Sequence, residues 1–279
     1  MRPRRSDNAG NFDTPGRHAR VRVSEKPALR LQTTTLWSYP SQHYERYVDE
    51  DGAVVSSVSA ARNREGTQGS KHYEGATPSW VIWQCLMRYT RRGDSVIDPM
   101  CGGGTTIDVC TDLARTPLAF DLAPSRPDIR LGDARSIALP NASCDFAFID
   151  PPYSTHIAYS DDPRCIGKLD ASGDDDGKAY YDAMQRVLKE LHRVLRSKRY
   201  LALYVSDSFR KHKGRMGGTF MPIGFELFSQ MRTLFTPIEI ISVVRYNDKL
   251  ERGNWHKAAE EGNFFLRGFN YLFVMRKDT

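Results

Sequence analysis

From residue 78 onward, apolar positions change repeatedly between a helical and a two-residue period. TPSWVIWQCLMRYT begins with Thr-Pro, a helix-start signal, and places Val81, Cys85 and Leu86 at helical spacing. SVIDP reads as a short strand, GGTTIDVCTDLA as a helix, PLAFD and DIRLGDA as a second and third strand, and CDFAFID as a fourth. AYYDAMQRVLKELHRVLR is a long amphipathic helix with Met184, Val187, Leu191 and Val194 on one face. RYLALYVSD then predicts a strand, FELFSQMRTLF a helix, and EIISVV and NYLFVM closing strands. Strands alternating with helices imply an α/β fold with a doubly wound, mostly parallel sheet. Ligands of such sheets bind at the carboxyl ends of the strands. Asp98, Asp121, Asp133, Asp150 and Asp207 each stand at or just past a predicted strand end.

The chain has 279 residues and is 40% hydrophobic, enough for one large α/β domain. Its 40 basic and 34 acidic side chains leave a net charge of +6. Most of that excess lies at the start, where Arg2, Arg4, Arg5, Arg17, Arg20, Arg22, Lys26 and Arg30 face only Asp7, Asp13 and Glu25. Residues 1–32 are therefore expected to be a disordered basic tail, either solvated or touching nucleic acid without specificity, ahead of a single domain over 33–279. Five cysteines form no C-x-x-C pair, which points away from zinc and disulfides and toward a reduced, cytoplasmic protein. No apolar run approaches a membrane span. The acidic patch DASGDDDG at 170–177 fails the calcium-loop spacing: a serine stands where the first acid belongs and Ala183 where the closing glutamate belongs. It reads as a solvated surface loop, and no metal is expected.

Two stretches carry chemistry. In IDPMCGGGTTID a strand ends at Asp98, and Pro99, Cys101, Gly102, Gly103, Gly104 and Thr105 turn the chain into a helix. Glycines let a ligand approach the backbone, and the free N–H groups of the helix start favour a carboxylate or phosphate. The spacing is neither G-x-G-x-x-G nor a P-loop, so neither NAD nor ATP is favoured. A ligand combining a carboxylate, an ammonium and an adenosine suits the surrounding acids better, and S-adenosyl-L-methionine is such a molecule. The turn would receive its amino-acid end, Asp121 its ribose hydroxyls and Asp133 its adenine amino group. In FIDPPYSTH, Pro151 and Pro152 hold Asp150 in extended geometry just past a buried strand.

DPMCGGGTT followed about fifty residues later by IDPPY resembles the amino-group DNA methyltransferases, which modify adenine N6 or cytosine N4. The likeness extends from TTTLWSYP at 33 to GFNYLFVMRK at 268–277. The family's usual glycine motif, DPFxGSGTT, has an aromatic where this chain has Met100 and a serine where it has Gly103, whereas AFIDPPY fits the catalytic pattern throughout. The resemblance implies a Rossmann-like class I methyltransferase fold with an antiparallel closing strand and S-adenosyl-L-methionine as cofactor. It places Thr77 and Pro78 beside the methionine end, and it implies DNA modification with or without a partner restriction nuclease.

An exocyclic amine is a poor nucleophile because its lone pair is delocalised into the ring. The Asp150 carboxylate and the Pro151 carbonyl would bind its two hydrogens, the prolines would keep both acceptors in place, and Tyr153 would stack on a flipped base. The absence of a Pro-Cys dipeptide argues against cytosine C5 chemistry. Asp150 favours adenine, since the cytosine N4 enzymes more often carry serine at that position. Segments 154–178, 207–220 and 246–268 are candidate substrate loops, with Lys211, Lys213, Arg215 and Trp255 combining charge with stacking surface. An RNA methyltransferase acting on the guanine amino group is the nearest alternative. It ranks second because only about 75 residues, much of them in the basic tail, precede the first helix. A non-catalytic nucleotide-binding protein would be expected to lose the acid or the ring of DPPY.

Overall fold

The computed structural model describes residues 29–39, 41–48, 54–58, 68–70, 72–211, 218–245 and 253–279. Most of the basic tail, together with Lys213 and Arg215, lies outside the described residues.

Among the described residues the central sheet has eight strands. They are β1 (Leu36–Trp37), β4 (Ser95–Asp98), β5 (Thr116–Asp121), β6 (Arg130–Leu131), β7 (Cys144–Ile149), β8 (Leu195–Val205), β11 (Thr236–Val244) and β12 (Phe269–Arg276), in the spatial order β1-β11-β12-β8-β7-β4-β5-β6. Every neighbouring pair is parallel except those made by β12, which runs antiparallel to both β8 and β11. The mostly parallel sheet and its antiparallel closing strand are those expected of a class I methyltransferase. Two hairpins, β2 (Tyr44–Val48) with β3 (Val54–Val58) and β9 (Ser208–Lys211) with β10 (Gly218–Met221), stand beside the sheet. The helices are α1 (Ser79–Tyr89), α2 (Thr105–Asp112), α3 (Asp174–Val194), α4 (Ile223–Met231) and α5 (Gly253–Glu261).

Side chains alternate across the strands, so the sheet divides the interior into two cores. Cys144, Ala147 and Ile149 of β7 join Leu201, Leu203 and Val205 of β8 on the face covered by α3 and α4. Phe146 and Phe148, with Ala202 and Tyr204, meet α1 and α2 on the other face. The predicted stripe of α3 is fully buried at Met184, Val187, Leu191 and Val194, and each such side chain is worth about 1.5–3 kcal/mol. Helix α1 is covered on more than one side. All of Ser79–Leu86 is buried, because residues 29–39 lie across it. The amide of Gln84 bridges Gln32 N (3.0 Å) and Arg30 O (2.6 Å), and Leu29 packs into the same core.

Two elements differ from their sequence reading. The strand expected over DIRLGDA shrinks to Arg130–Leu131, an edge pair with Leu131 72% exposed that gains little by lengthening. The DASGDDDG segment is more structured than a surface loop: Asp175, Asp176 and Gly177 take left-handed backbone at the start of α3. Gly177 is required there, since a Cβ would come within 2.4 Å of the Ala171 backbone.

The strand order reverses at β4: the chain moves outward to β5 and β6, then returns to β7 on the other side. The crevice at the carboxyl ends of β4 and β7 is where a doubly wound sheet exposes its binding site.

Candidate active site

Asp98 is the last residue of β4 and Asp150 follows β7 directly, so adjacent parallel strands deliver both acids to one crevice. Asp98 accepts from Thr106 Oγ1 (2.5 Å) and Met100 N (3.1 Å), which pins the glycine turn to the start of α2. Asp121, ending β5, accepts from Gly102 N and Ala123 N, each at 2.9 Å. The turn is therefore shaped by two carboxylates. Gly102 and Gly104 have φ of 52° and 83°, which a side chain would resist.

Asp150 is held on both oxygens: Thr77 Oγ1 donates to Oδ2 at 2.6 Å and Tyr153 Oη to Oδ1 at 2.7 Å. Asn270 Nδ2 in turn donates to Tyr153 Oη at 3.1 Å. Since the single hydroxyl hydrogen of Tyr153 goes to the carboxylate, the Asn270 amide must present its nitrogen to that oxygen. Burial pushes Asp150 up to about 7, with the Thr77 and Tyr153 hydroxyls and Arg245 opposing it. Burial likewise raises Asp98 to about 7 against its bonds from Thr106 and Met100. Among the described residues neither acid forms a salt bridge. Tyr180 Oη donates to the Pro152 carbonyl at 2.7 Å, fixing the second proline from the α3 side.

Two cavities meet at these residues. The larger, about 1130 Å³, is lined by Thr77, Pro78, Asp98, Cys101, Gly102, Thr105, Asp150 and Tyr153 on its inner wall, and by Arg245, Trp255, Phe264 and Phe265 toward its mouth. The smaller, about 70 Å³, is lined by Pro99, Asp121, Asp133, Pro152 and Ile166. Most of the residues singled out in the sequence thus converge on connected space. Gly104 and Pro151 line neither cavity: Gly104 precedes α2 where a Cβ would meet the Arg126 side chain, and Pro151 is buried. Asp133 lines the smaller cavity, but Arg135 holds both of its oxygens (2.9 and 2.7 Å) and lowers its pKa. Lys211 lies in β9, beside an Arg210 that is paired with Asp170. Phe265 is 85% exposed, and the preceding Phe264 stacks on Phe209 at 5.2 Å.

The sequence reading missed Tyr73 and Asn270, and reached Tyr159 and Arg245 only as unnamed residues in or bordering candidate substrate segments. A buried Asn inside the apolar run NYLFVM was a detectable signal, because a polar residue there needs a partner. Tyr73 sits in an irregular segment, where no periodicity marks it.

Residues 11–129 match the family model described as DNA methylase. No curated protein matches the sequence. Among solved structures, TTHA0409 of Thermus thermophilus, assigned as a DNA modification methylase, is 23% identical, with 53% of this chain and 51% of that chain covered and a TM-score of 0.37. Its complex with S-adenosyl-L-methionine is 20% identical over 53% and 54%, with a TM-score of 0.38. TrmN of Thermus thermophilus is 15% identical over 80% and 56%, with a TM-score of 0.47. The chain spans about half the length of TTHA0409. The stretch 11–129 that is similar to the DNA methylase family contains the glycine turn, which shares its crevice with the Asp-Pro-Pro-Tyr segment.

Proposed function

We propose that this protein is an S-adenosyl-L-methionine-dependent DNA methyltransferase acting on the exocyclic amino group of a flipped base, adenine N6 in preference to cytosine N4. The observation that carries the reading is Asp150, fixed through both oxygens where the two cavities meet. The residues fit the cofactor. Gly102, with Cys101 and Thr105, lines the larger cavity where the amino-acid end would lie, and Asp121 borders the smaller cavity where ribose hydroxyls would lie. Arg135 already occupies both Asp133 oxygens, so an adenine amino group would reach only their remaining lone pairs.

When bound, S-adenosyl-L-methionine supplies an electrophilic methyl on a positively charged sulfur. Asp150 then accepts one amino hydrogen, which favours a tetrahedral nitrogen with its lone pair directed at that methyl. The Pro151 carbonyl, proposed for the second hydrogen, belongs to a buried residue that lines neither cavity and has to be uncovered as the amine enters. Thr77 and Tyr153 keep the carboxylate from rotating, so its orientation is set before the substrate arrives. A carboxyl near 7 is also suited to take the proton the methylated nitrogen sheds. The larger cavity has room for a nucleobase, and Tyr153 on its wall offers a stacking surface. Arg245, Trp255 and Phe265 around its mouth suit phosphates and unstacked bases, as the loop compositions of 207–220 and 246–268 suggest.

The test is incubation with labelled S-adenosyl-L-methionine and, separately, duplex DNA, single-stranded DNA and tRNA, followed by digestion to nucleosides and mass identification. N6-methyladenine in DNA is the expected product. N4-methylcytosine would overturn the adenine preference, methylguanine in tRNA would overturn the DNA assignment, and no transfer to any of them would overturn the enzyme reading.

A further inference from the structure

Among the described residues, four line both cavities: Tyr73, Met100, Asp150 and Tyr159. Any group passed from the smaller cavity to an acceptor at Asp150 must cross the space they bound. Two of the four are aromatic, and their rings stand 6.2 Å apart and 28° from parallel. Neither ring is free to swing away. Tyr73 packs on the glycine turn so closely that a Cβ on Gly102 would fall 2.6 Å from its Cζ, and one on Gly103 2.9 Å from its Cβ. Tyr159 is wedged between Gly75 and Gly167, where added Cβ atoms would lie 3.2 Å from its hydroxyl and 3.0 Å from its ring.

Of the four residues that line both cavities Asp150 is the charged one; Arg135 and Arg164 line the smaller cavity alone, each paired with an aspartate, and Arg245 and Arg267 the larger alone. Asp98 and Asp150 open onto the larger cavity and Asp121 onto the smaller, and among the described residues neither Asp98 nor Asp150 has a salt-bridge partner. Burial first, then Asp121, Tyr159, Asp150 and Asp98, push the Tyr73 hydroxyl well above its ordinary value, so the ring stays neutral and electron-rich. A junction walled by two aromatic rings beside the Asp150 carboxyl favours a compact, weakly hydrated cation over a neutral group.

We propose that Tyr73 and Tyr159 form an aromatic wall that holds the sulfonium of S-adenosyl-L-methionine at the junction of the two cavities and discriminates it from the neutral thioether product. The inference rests on the cofactor reading above. It gives the pair a role in turnover: once the methyl has left, the ligand loses its charge and with it the ring attraction, which favours product release.

The experiment is calorimetric titration of the full chain with S-adenosyl-L-methionine and, separately, S-adenosyl-L-homocysteine, in the wild type and in Tyr73→Phe, Tyr73→Leu and Tyr159→Leu. Phenylalanine should preserve the ratio of the two affinities. Each leucine variant should weaken binding of the sulfonium ligand about 3- to 20-fold while changing that of the thioether about twofold or less. Equal weakening of both ligands would overturn the cation assignment and leave the cofactor reading standing. Failure of the wild type to bind either ligand would overturn both.

Discussion

Strand β7 carries an acid at each end, and the two are treated in opposite ways. Asp145, next to its amino end, is contacted by Arg196 at 2.7 Å and Arg199 at 3.1 Å and accepts from Ser95 N and Oγ. Burial raises its pKa, but the bonds from Arg196 and Ser95 outweigh burial and hold it below the usual carboxylate range. Asp150, one residue past the carboxyl end, has only two hydroxyls on its oxygens, and there burial prevails and lifts it to about 7. The first acid ties β7 to β4 and β8 and stabilises the fold. The second is held, among the described residues, by hydroxyls and no salt bridge, which costs stability at neutral pH and leaves lone pairs of its carboxylate unclaimed.

The comparison breaks most visibly at Asp150. Asp150→Ala should lower single-turnover methyl transfer by about 10³-fold, the scale of losing a preorganised polar group at a reacting centre, while cofactor affinity by calorimetry changes about threefold or less. Its unfolding free energy at pH 8 should stay within about 1 kcal/mol of wild type. A group whose folded pKa is raised contributes stability below its unfolded value near 4 and loses it as pH rises through about 7, so removing Asp150 at pH 8 sacrifices no favourable charge. Asp145→Ala should do the reverse. Urea denaturation at pH 7 should show a loss of about 2 kcal/mol, because half-buried Ser95 donors are stranded and charged hydrogen bonds disappear, with transfer rate unchanged. That contribution exists above the unfolded pKa and vanishes as pH falls through the lowered folded value, so the gap between variant and wild type should close in acid.

A smaller effect would sharpen the contrast. Tyr153→Phe removes one of the two hydroxyls that favour the ionised carboxylate. Transfer should slow about tenfold, the value of one hydrogen bond to a charged group, and the acid limb of the pH–rate profile should move upward from its wild-type position at or below about 7. An unmoved limb would mean that a group other than Asp150 governs it.

How much of this was legible depends on sequence separation. The helix over TPSWVIWQCLMRYT, the glycine turn and the strand-end positions of Asp98, Asp121 and Asp150 were readable because each rests on periodicity or on a local run of glycine and proline. The support of Asp150 was not, because Thr77 lies 73 residues away in sequence and Asn270, acting through Tyr153, 117 residues from that ring. Nor was the occupation of Asp133 by Arg135, since a strand-end acid looks the same in sequence whether or not its neighbour folds back on it.

By itself the sequence determined the alternation of elements and hence the doubly wound sheet, and it placed a flexible turn and a stiff acid at the ends of two strands. Both follow from backbone sterics and side-chain period, which act over a few residues. Only the tertiary structure decided that those strands are neighbours, that one acid of β7 meets arginines and the other hydroxyls, and that Tyr73 and Tyr159 stand together between two cavities. Burial and charge pairing are properties of the packed chain, and the same residue type takes opposite roles according to which distant segment the fold brings against it.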